Sequence, residues 1–353
     1  MILRKIRVLV VDDSGLVRRV LSEAIAKQPD MEVVGMAPDP FVARDLILSA
    51  NPDVITLDIE MPRMDGLTFL TKLMRYRPLP VIVVSSVAQA NCDVALEALR
   101  RGAVEVMAKP SGPNSVSGVS RLLPEKIRAA FCARLQGVGV SAPTAGTAKP
   151  ALPAVPADSG LIAIGASTGG TQAIEDVLSQ MPSNCPPMVI AQHIPPVFSA
   201  AFASRLNSVC RMEVKEARDG DLVSEGRVLV APGDFHMLLQ KTDGVTRVAV
   251  RTGPRVHYQR PAVDVLFRSI AEIGAANTVG VLLTGMGADG AEGLLEMRKA
   301  GAWTIAQDEA SSTVFGMPKV AIEMGAAQQI LALSRVAQGV LGALMRPHNG
   351  RGV

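Results

Sequence analysis

The chain has 353 residues, of which 48% are hydrophobic and only 3% aromatic, and it carries a formal charge of +3. At roughly 150 residues per domain this length suggests about two domains, and the apolar fraction excludes a disordered chain. So small a net charge gives no electrostatic case for nucleic-acid binding, which needs a concentrated basic face.

From residue 1 to about 135, short apolar runs alternate with amphipathic stretches. Strands are predicted at IRVLVV (6–11), MEVVGM (31–36), DVITLD (53–58), PVIVVSS (80–86) and VEVMAK (104–109). Between and after them, segments such as LVRRVLSEAIAKQ and GLTFLTKLMRYR repeat apolar residues at helical spacing. Five βα units with continuous apolar strands indicate a parallel sheet covered on both faces. Residues 136–158, QGVGVSAPTAGTAKPALPAVPAD, lose the periodic signal and read as a Pro/Ala/Gly-rich linker. A second alternating βα region starts at LIAIGAS (161–167) and runs to about 345, before a tail, RPHNGRGV, expected to fray. The expected architecture is α/β, with two doubly wound parallel-sheet domains at 1–135 and 159–347.

The four cysteines, Cys92, Cys132, Cys185 and Cys210, form no CxxC pair and read as free thiols in a reducing compartment. The start MILRKIRVLVVDD carries no signal-peptide pattern, and no apolar run approaches the ~20 residues of a membrane span. A cytoplasmic protein without membrane insertion is expected.

In the first region the strand ends carry the chemistry. Asp12 and Asp13 close the first strand, Asp58 the third, Ser85 the fourth and Lys109 the fifth. In a doubly wound sheet these carboxyl ends share one edge, the usual ligand edge. Three carboxylates converging there repel one another and raise their pKa values unless a cation is present. A hard ion such as Mg²⁺ answers that need, and Lys109 adds a fixed positive charge. Such a site stabilises a transferred phosphoryl group, with one carboxylate as nucleophile. Asp58, alone at its strand end before IEMPRMDG, is the best candidate. The plainer alternative is that Asp13 caps the following helix and Lys109 is a surface lysine.

VLVVDDS, LDIEMPRMDG, VVSS and MAKP together resemble the signature set of bacterial response-regulator receiver domains, which are flavodoxin-like, over about residues 4–130. The resemblance implies that Asp58 accepts the phosphoryl group, that Asp12, Asp13 and Asp58 hold Mg²⁺, and that Ser85 and Lys109 form the switch. It also implies a cis Lys109–Pro110 bond. Where receivers commonly carry an aromatic switch residue, three positions before the lysine, this chain has Val106. Activation is then expected to use repacking rather than a swinging ring.

The second region opens with LIAIG, then Ala166-Ser167-Thr168-Gly169-Gly170 and a helix. A serine at a tight strand-to-helix turn is exposed beside backbone N–H donors that favour developing negative charge. GASTG also fits G-x-S-x-G, although a Gly-rich turn with Ser and Thr is often only a cap. A hydroxyl needs a base, and His193, His236 and His257 are available. His193 follows the next strand, PPMVIAQHIP, on the edge of Ser167; His236 in APGDFHM is plausible on position. Asp289 in VGVLLTGMGADGAEG lies after another buried strand on that edge, so Ser, His and Asp converge for acyl transfer. The same segment supports a rival. Gly285 to Gly290 matches G-x-G-x-x-G, with Asp308 placed for a ribose contact, but Asp289 would then oppose a pyrophosphate.

The Ser–His–Asp order differs from that of α/β-hydrolases. IGASTGG, QHIPP, VLVAPGDFHM, RPAVDVLF, LLTGMGADGAEG and TIAQDEASSTVFGMP instead resemble the catalytic domain of chemotaxis protein-glutamate methylesterases (the CheB family) over about residues 160–345. This likeness implies Ser167 as nucleophile, His193 as base, Asp289 as its orienter, and Thr168 and the Met286 backbone beside the oxyanion. His236 is similar to a family histidine near the site. The implied substrates are γ-glutamyl methyl esters, and certain glutamines, on methyl-accepting chemoreceptors; the implied phosphodonor is a chemosensory histidine kinase. The esterase chemistry needs no cofactor. Control is expected through a receiver that covers the active-site edge until Asp58 is phosphorylated. A receiver with a non-catalytic binding output is the alternative. A transcriptional role would need a basic recognition helix, which the sequence lacks.

Overall fold

A computed structural model describes residues 4–86, 89–110, 113–135 and 160–346. The chain divides into two compact units. The expected linker at 136–158 and all of the expected tail beyond Arg346 lie outside the described residues.

The first unit runs β1 (Ile6–Val11), α1 (Gly15–Ala26), β2 (Met31–Ala37), α2 (Pro40–Ala50), β3 (Val54–Asp58), α3 (Gly66–Tyr76), β4 (Val81–Ser85), α4 (Gln89–Arg100), β5 (Glu105–Ala108) and α5 (Pro113–Phe131). Each strand lies within one residue, at either end, of an apolar run picked out in the sequence. All neighbours are parallel in the order β2-β1-β3-β4-β5. Val8, Leu9 and Val10 are buried on both faces of β1, as a sheet covered by helices on each side requires. Val8 and Val10 share a core with Leu21, Ile25, Leu123 and Ile127 of α1 and α5. Helix starts are set by side-chain caps: Ser14 accepts from Val17 N–H, Asp39 from Phe41 and Val42, and Asp65 from Thr68.

The second unit runs β6 (Leu161–Ala166), α6 (Gly170–Leu178), β7 (Met188–Gln192), α7 (Pro196–Val209), β8 (Glu213–Glu216), β9 (Arg227–Val230), β10 (His236–Thr242), β11 (Val245–Arg251), α8 (Val263–Ile273), β12 (Thr278–Leu282), α9 (Ala291–Lys299), β13 (Trp303–Gln307), α10 (Met317–Glu323), β14 (Gln329–Leu331) and α11 (Leu333–Leu344). Seven strands form one parallel sheet in the order β14-β13-β12-β6-β7-β9-β8. The sequence reading missed β10 and β11, which form an antiparallel hairpin of their own. It turns at Asp243-Gly244, where both residues have positive φ, the conformation a two-residue hairpin loop demands. Phe267 and Leu266 of α8 pack with Ala163, Val189 and Leu282 from three adjacent strands. Near the end of the described chain, the Arg346 guanidinium stacks 3.7 Å from the ring centroid of Trp303.

Each sheet reverses its strand order between two neighbours, β1 and β3 in the first unit and β6 and β12 in the second. In open parallel sheets, ligands usually sit outside the carboxyl ends of the strands at such a reversal.

Candidate active site

In the first unit, Asp12 follows β1, Asp58 ends β3 and Lys109 follows β5. Asp12 and Asp58 are fully buried, and Asp13 is exposed. One carboxylate oxygen from each of the three acids lies within 4.8 Å of the others. Lys109 Nζ donates to Asp58 Oδ2 at 2.7 Å and stands 3.3 Å from Asp12 Oδ2. Burial pushes the Asp58 carboxyl up to about 6, against the pull of Lys109 and with a further push from Asp12. Burial raises Asp12 as well. Although Lys109 is near, the buried Asp12 Oδ2 accepts no hydrogen bond. One lysine thus leaves three carboxylates under-compensated, and an all-oxygen donor set of this kind fits a hard divalent cation.

Ser14, not Asp13, caps α1, while Asp12 Oδ1 accepts the Ser14 N–H at 2.9 Å. The Ser85 hydroxyl is buried and donates to the Ser86 carbonyl at 3.4 Å. Val106 is buried within β5. The expected cis Lys109–Pro110 bond is not found; Arg260–Pro261 is the cis bond among the described residues. The two isomers of an X–Pro bond differ by only about 0.5–1 kcal/mol, so a sequence resemblance does not fix which one packing selects.

In the second unit, β6 delivers Ser167 at its end, β7 delivers His193, and the turn after β12 delivers Asp289. The Ser167 N–H donates to the Thr284 carbonyl at 3.0 Å, and the His193 N–H to that of Ala166 at 3.1 Å. Gly285 makes this close approach possible, because a Cβ there would overlap the Ser167 side chain. His193 Nδ1 lies 3.0 Å from Ser167 Oγ, and Nε2 lies 2.7 Å from Asp289 Oδ2. All three residues are buried, Ser167 included, in contrast to the exposure expected of a serine at a tight turn.

Asp289 is held from behind by a helix start. Its Oδ2 also accepts the Val263 N–H at 2.7 Å, and its Oδ1 accepts the Asp264 N–H at 2.9 Å. These are the first amides of α8, whose own N-cap position, Ala262, offers no side-chain cap. Burial alone would raise the Asp289 carboxyl. The His193 ring and the two amides outweigh it and hold the carboxyl below its ordinary value. A carboxylate kept ionised there places the imidazole proton on Nε2. That leaves the Nδ1 lone pair facing the Ser167 hydroxyl.

Thr168 is buried, and its carbonyl receives the Thr284 hydroxyl at 3.0 Å. Met286 sits in the turn between Gly285, which touches the serine turn, and Asp289. His236 does not meet Ser167. Its Nε2 lies 2.9 Å from the Pro254 carbonyl and its Nδ1 accepts the Ala262 N–H at 3.3 Å, so it braces the segment entering α8. His257 pairs with Asp264 at 3.2 Å. The dinucleotide alternative fails on the same geometry. Asp289 turns its carboxylate inward to the α8 amides, and Asp308 is used by the N–H and hydroxyl of Ser311.

The sequence reading missed the support beneath these groups. Gln307 Oε1 accepts the Thr284 N–H at 2.8 Å, and the Thr284 hydroxyl accepts the Val314 N–H at 2.9 Å. Asp264, fully buried, accepts the Gly293 N–H of α9 at 2.7 Å and has its carboxyl raised by burial and by Asp289. Its one sequence signal is a carboxylate inside the apolar helical run VDVLF.

The CheB methylesterase family model matches residues 162–340, and that of the response regulator receiver domain matches residues 8–118. The chain belongs to the CheB methylesterase family. A protein-glutamate methylesterase/protein-glutamine glutaminase of Syntrophus aciditrophicus is 53% identical over 96% of this chain and 98% of its own length. The protein of that name from Escherichia coli strain K12 is 50% identical over 96% of this chain and 97% of its own. The Thermotoga maritima CheB methylesterase catalytic domain, a crystal structure, superposes with a TM-score of 0.51 at 38% identity, covering 52% of this chain and 97% of that one. The likeness to these relatives therefore extends over both units.

Proposed function

We propose that this chain hydrolyses γ-glutamyl methyl esters on chemoreceptors, and deamidates specific glutamines there, under the control of its own receiver domain. The supporting observation is the hydrogen-bonded series Ser167–His193–Asp289 at the carboxyl ends of β6, β7 and β12.

The chemistry follows from the polarity of that series. Ser167 Oγ attacks the ester carbonyl while Nδ1 of His193 takes its proton, and Asp289 stabilises the resulting imidazolium. The tetrahedral oxyanion forms beside Thr168 and the Met286 backbone, where each well-placed donor contributes about 2.7–4 kcal/mol in comparable hydrolases. Collapse expels methanol, which receives the proton from Nδ1. Water, deprotonated by the same nitrogen, then cleaves the acyl-enzyme to glutamate. A glutamine side chain follows the same course with ammonia as the leaving group. Ser167→Ala tests the assignment: it should lose methanol release from methylated receptor membranes while staying folded, and normal release would refute it.

The receiver supplies control. Asp58 accepts the phosphoryl group from a chemosensory histidine kinase, and Ser85 and Lys109 report its arrival. Asp12, Asp13 and Asp58 would hold Mg²⁺, which when bound neutralises phosphoryl oxygens. The receiver occupies residues 1–135, the linker 136–158 and the esterase 159–347. No helix among the described residues is long and apolar enough to cross a membrane, in keeping with a cytoplasmic site of action. Methanol release with and without a small-molecule phosphodonor, on the full chain and on a chain starting near residue 155, tests control. Release by the phosphorylated full chain should exceed that of the resting protein, and equal rates in all arms would refute it.

A further inference from the structure

Gln192, the last residue of β7, is 2% exposed. Its Nε2 donates to the carbonyl of Ser167 at 2.8 Å and to the carbonyl of His193 at 3.1 Å. The other half of the amide, Oε1, is buried without a hydrogen-bond partner. Two carbonyl acceptors fix this orientation, since a reversed amide would press Oε1 against two oxygens. A buried unpartnered acceptor is destabilising, so packing alone would not favour an amide here. The remainder of β7, Met188 to Ala191, is uniformly apolar and buried, so strand packing gives no reason for an amide at its end. Space is reserved for it at the start of α6, because a Cβ on Gly170 would collide with Gln192 Oε1.

We infer that Gln192 is a positioning residue that clamps the nucleophile turn to the base turn; this rests on the Ser167–His193 assignment above. The two side chains that exchange the proton hang from peptides at the ends of different strands. The backbone already ties His193 N–H to Ala166, one residue short of the nucleophile. The Gln192 amide ties the next peptide groups, the carbonyls of Ser167 and His193, to one rigid plane. The Ser167 carbonyl also accepts the Gly170 N–H at 2.7 Å, so helix α6 is drawn into the same clamp. Fixing both peptides fixes the 3.0 Å separation of Oγ and Nδ1. That is the distance proton transfer depends on, and a displacement of about 1 Å costs on the order of 100-fold in rate.

The test uses the full chain with two substitutions. Gln192→Met keeps the volume and removes the donors. Gln192→Glu keeps the shape and replaces the donors with an oxygen facing two carbonyls. Both should lower kcat for methanol release by about 10–100-fold, by the rate cost of misplacement above, with KM for methylated receptor within about twofold. The rate of Ser167 modification by a serine-directed phosphonate should fall in the same proportion, and the final titre of modified sites should stay near that of wild type. Wild-type kcat in both variants overturns the role. So does a loss confined to KM, or a lower titre with an unchanged rate per titrated site, which is what a purely structural role produces. If wild type itself resists the phosphonate, the esterase reading falls and the clamp falls with it. If wild type reacts and the variants match it, only the clamp is lost.

Discussion

Oδ2 of Asp289 serves two partners at once, the His193 ring at 2.7 Å and the Val263 N–H at 2.7 Å. The group that orients the base is therefore also the cap of α8. Orientation of the imidazole is anchored to a helix rather than to a loop. The two functions separate on substitution, because an amide can cap a helix but cannot leave two acceptor oxygens facing donors.

Asp289→Asn should accordingly fold and lose activity. An NH₂ group in the Oδ2 position would meet both the imidazole Nε2–H and the Val263 N–H and drive the ring toward the wrong tautomer, whereas in the Oδ1 position it would meet the Asp264 N–H. The comparable change in a serine protease lowers kcat about 10⁴-fold, and a fall of about 10³–10⁴-fold is expected here. Steady-state methanol release, beside a circular dichroism spectrum matching wild type, checks it.

The same carboxylate predicts a pH dependence of stability. Its folded pKa lies below the ordinary 3.8, so the unfolded chain binds the proton more tightly. The stabilisation is fully present above the ordinary value and is lost as pH falls through the depressed one. Urea unfolding of wild type and Asp289→Ala should differ by a constant amount from pH 7 to about 5, and the difference should shrink only in more acidic solution. Shrinkage already between pH 7 and 5 would contradict the argument.

Much of this arrangement was legible in the sequence because strand ends are marked by a change of chemistry. Continuous apolar runs stop at Asp12, Asp58 and Lys109 in one unit, and at Ser167 and His193 in the other. Parallel topology then sends all such ends to one edge. The β10–β11 hairpin was missed although HMLLQKT and VTRVAVR flank an Asp-Gly pair, because βα alternation on either side dominated the reading. Gln192 and Asp264 left little trace for a different reason. Their partners are backbone groups, a carbonyl 25 residues away and an amide 29 residues away, and no residue type announces a backbone group. The isomer of Lys109–Pro110 was misassigned because it was carried over from the receiver resemblance, and the energy difference is too small for a resemblance to fix it.

Thr284 offers a test of the support beneath the serine turn. Its hydroxyl donates to the Thr168 carbonyl and accepts the Val314 N–H. Thr284→Val keeps the shape and removes both bonds inside a buried site. A loss of about 1–3 kcal/mol is expected in urea unfolding, with Thr284→Ser retaining most of the stability. Equal midpoints for valine and serine would contradict this.

Removal of divalent metal should act on the receiver alone. Chelation should abolish phosphorylation of Asp58 by a small phosphodonor, seen by phosphate-affinity electrophoresis, and Asp12→Ala should do the same. Basal methanol release by the unphosphorylated protein should be unaffected by the chelator, since no step of the acyl transfer uses an ion.

Trp303 is the single tryptophan of the chain, and it lies at the start of β13 with Arg346 stacked on its ring. Its emission therefore reports on the esterase alone. Melting followed at that wavelength is blind to the receiver, whereas far-ultraviolet dichroism sees both halves. Divergence of the two curves would reveal independent unfolding without any label. Trimming the chain before Arg346 would free the indole of its cationic neighbour, giving a built-in optical signal for the docking of the C-terminal residues.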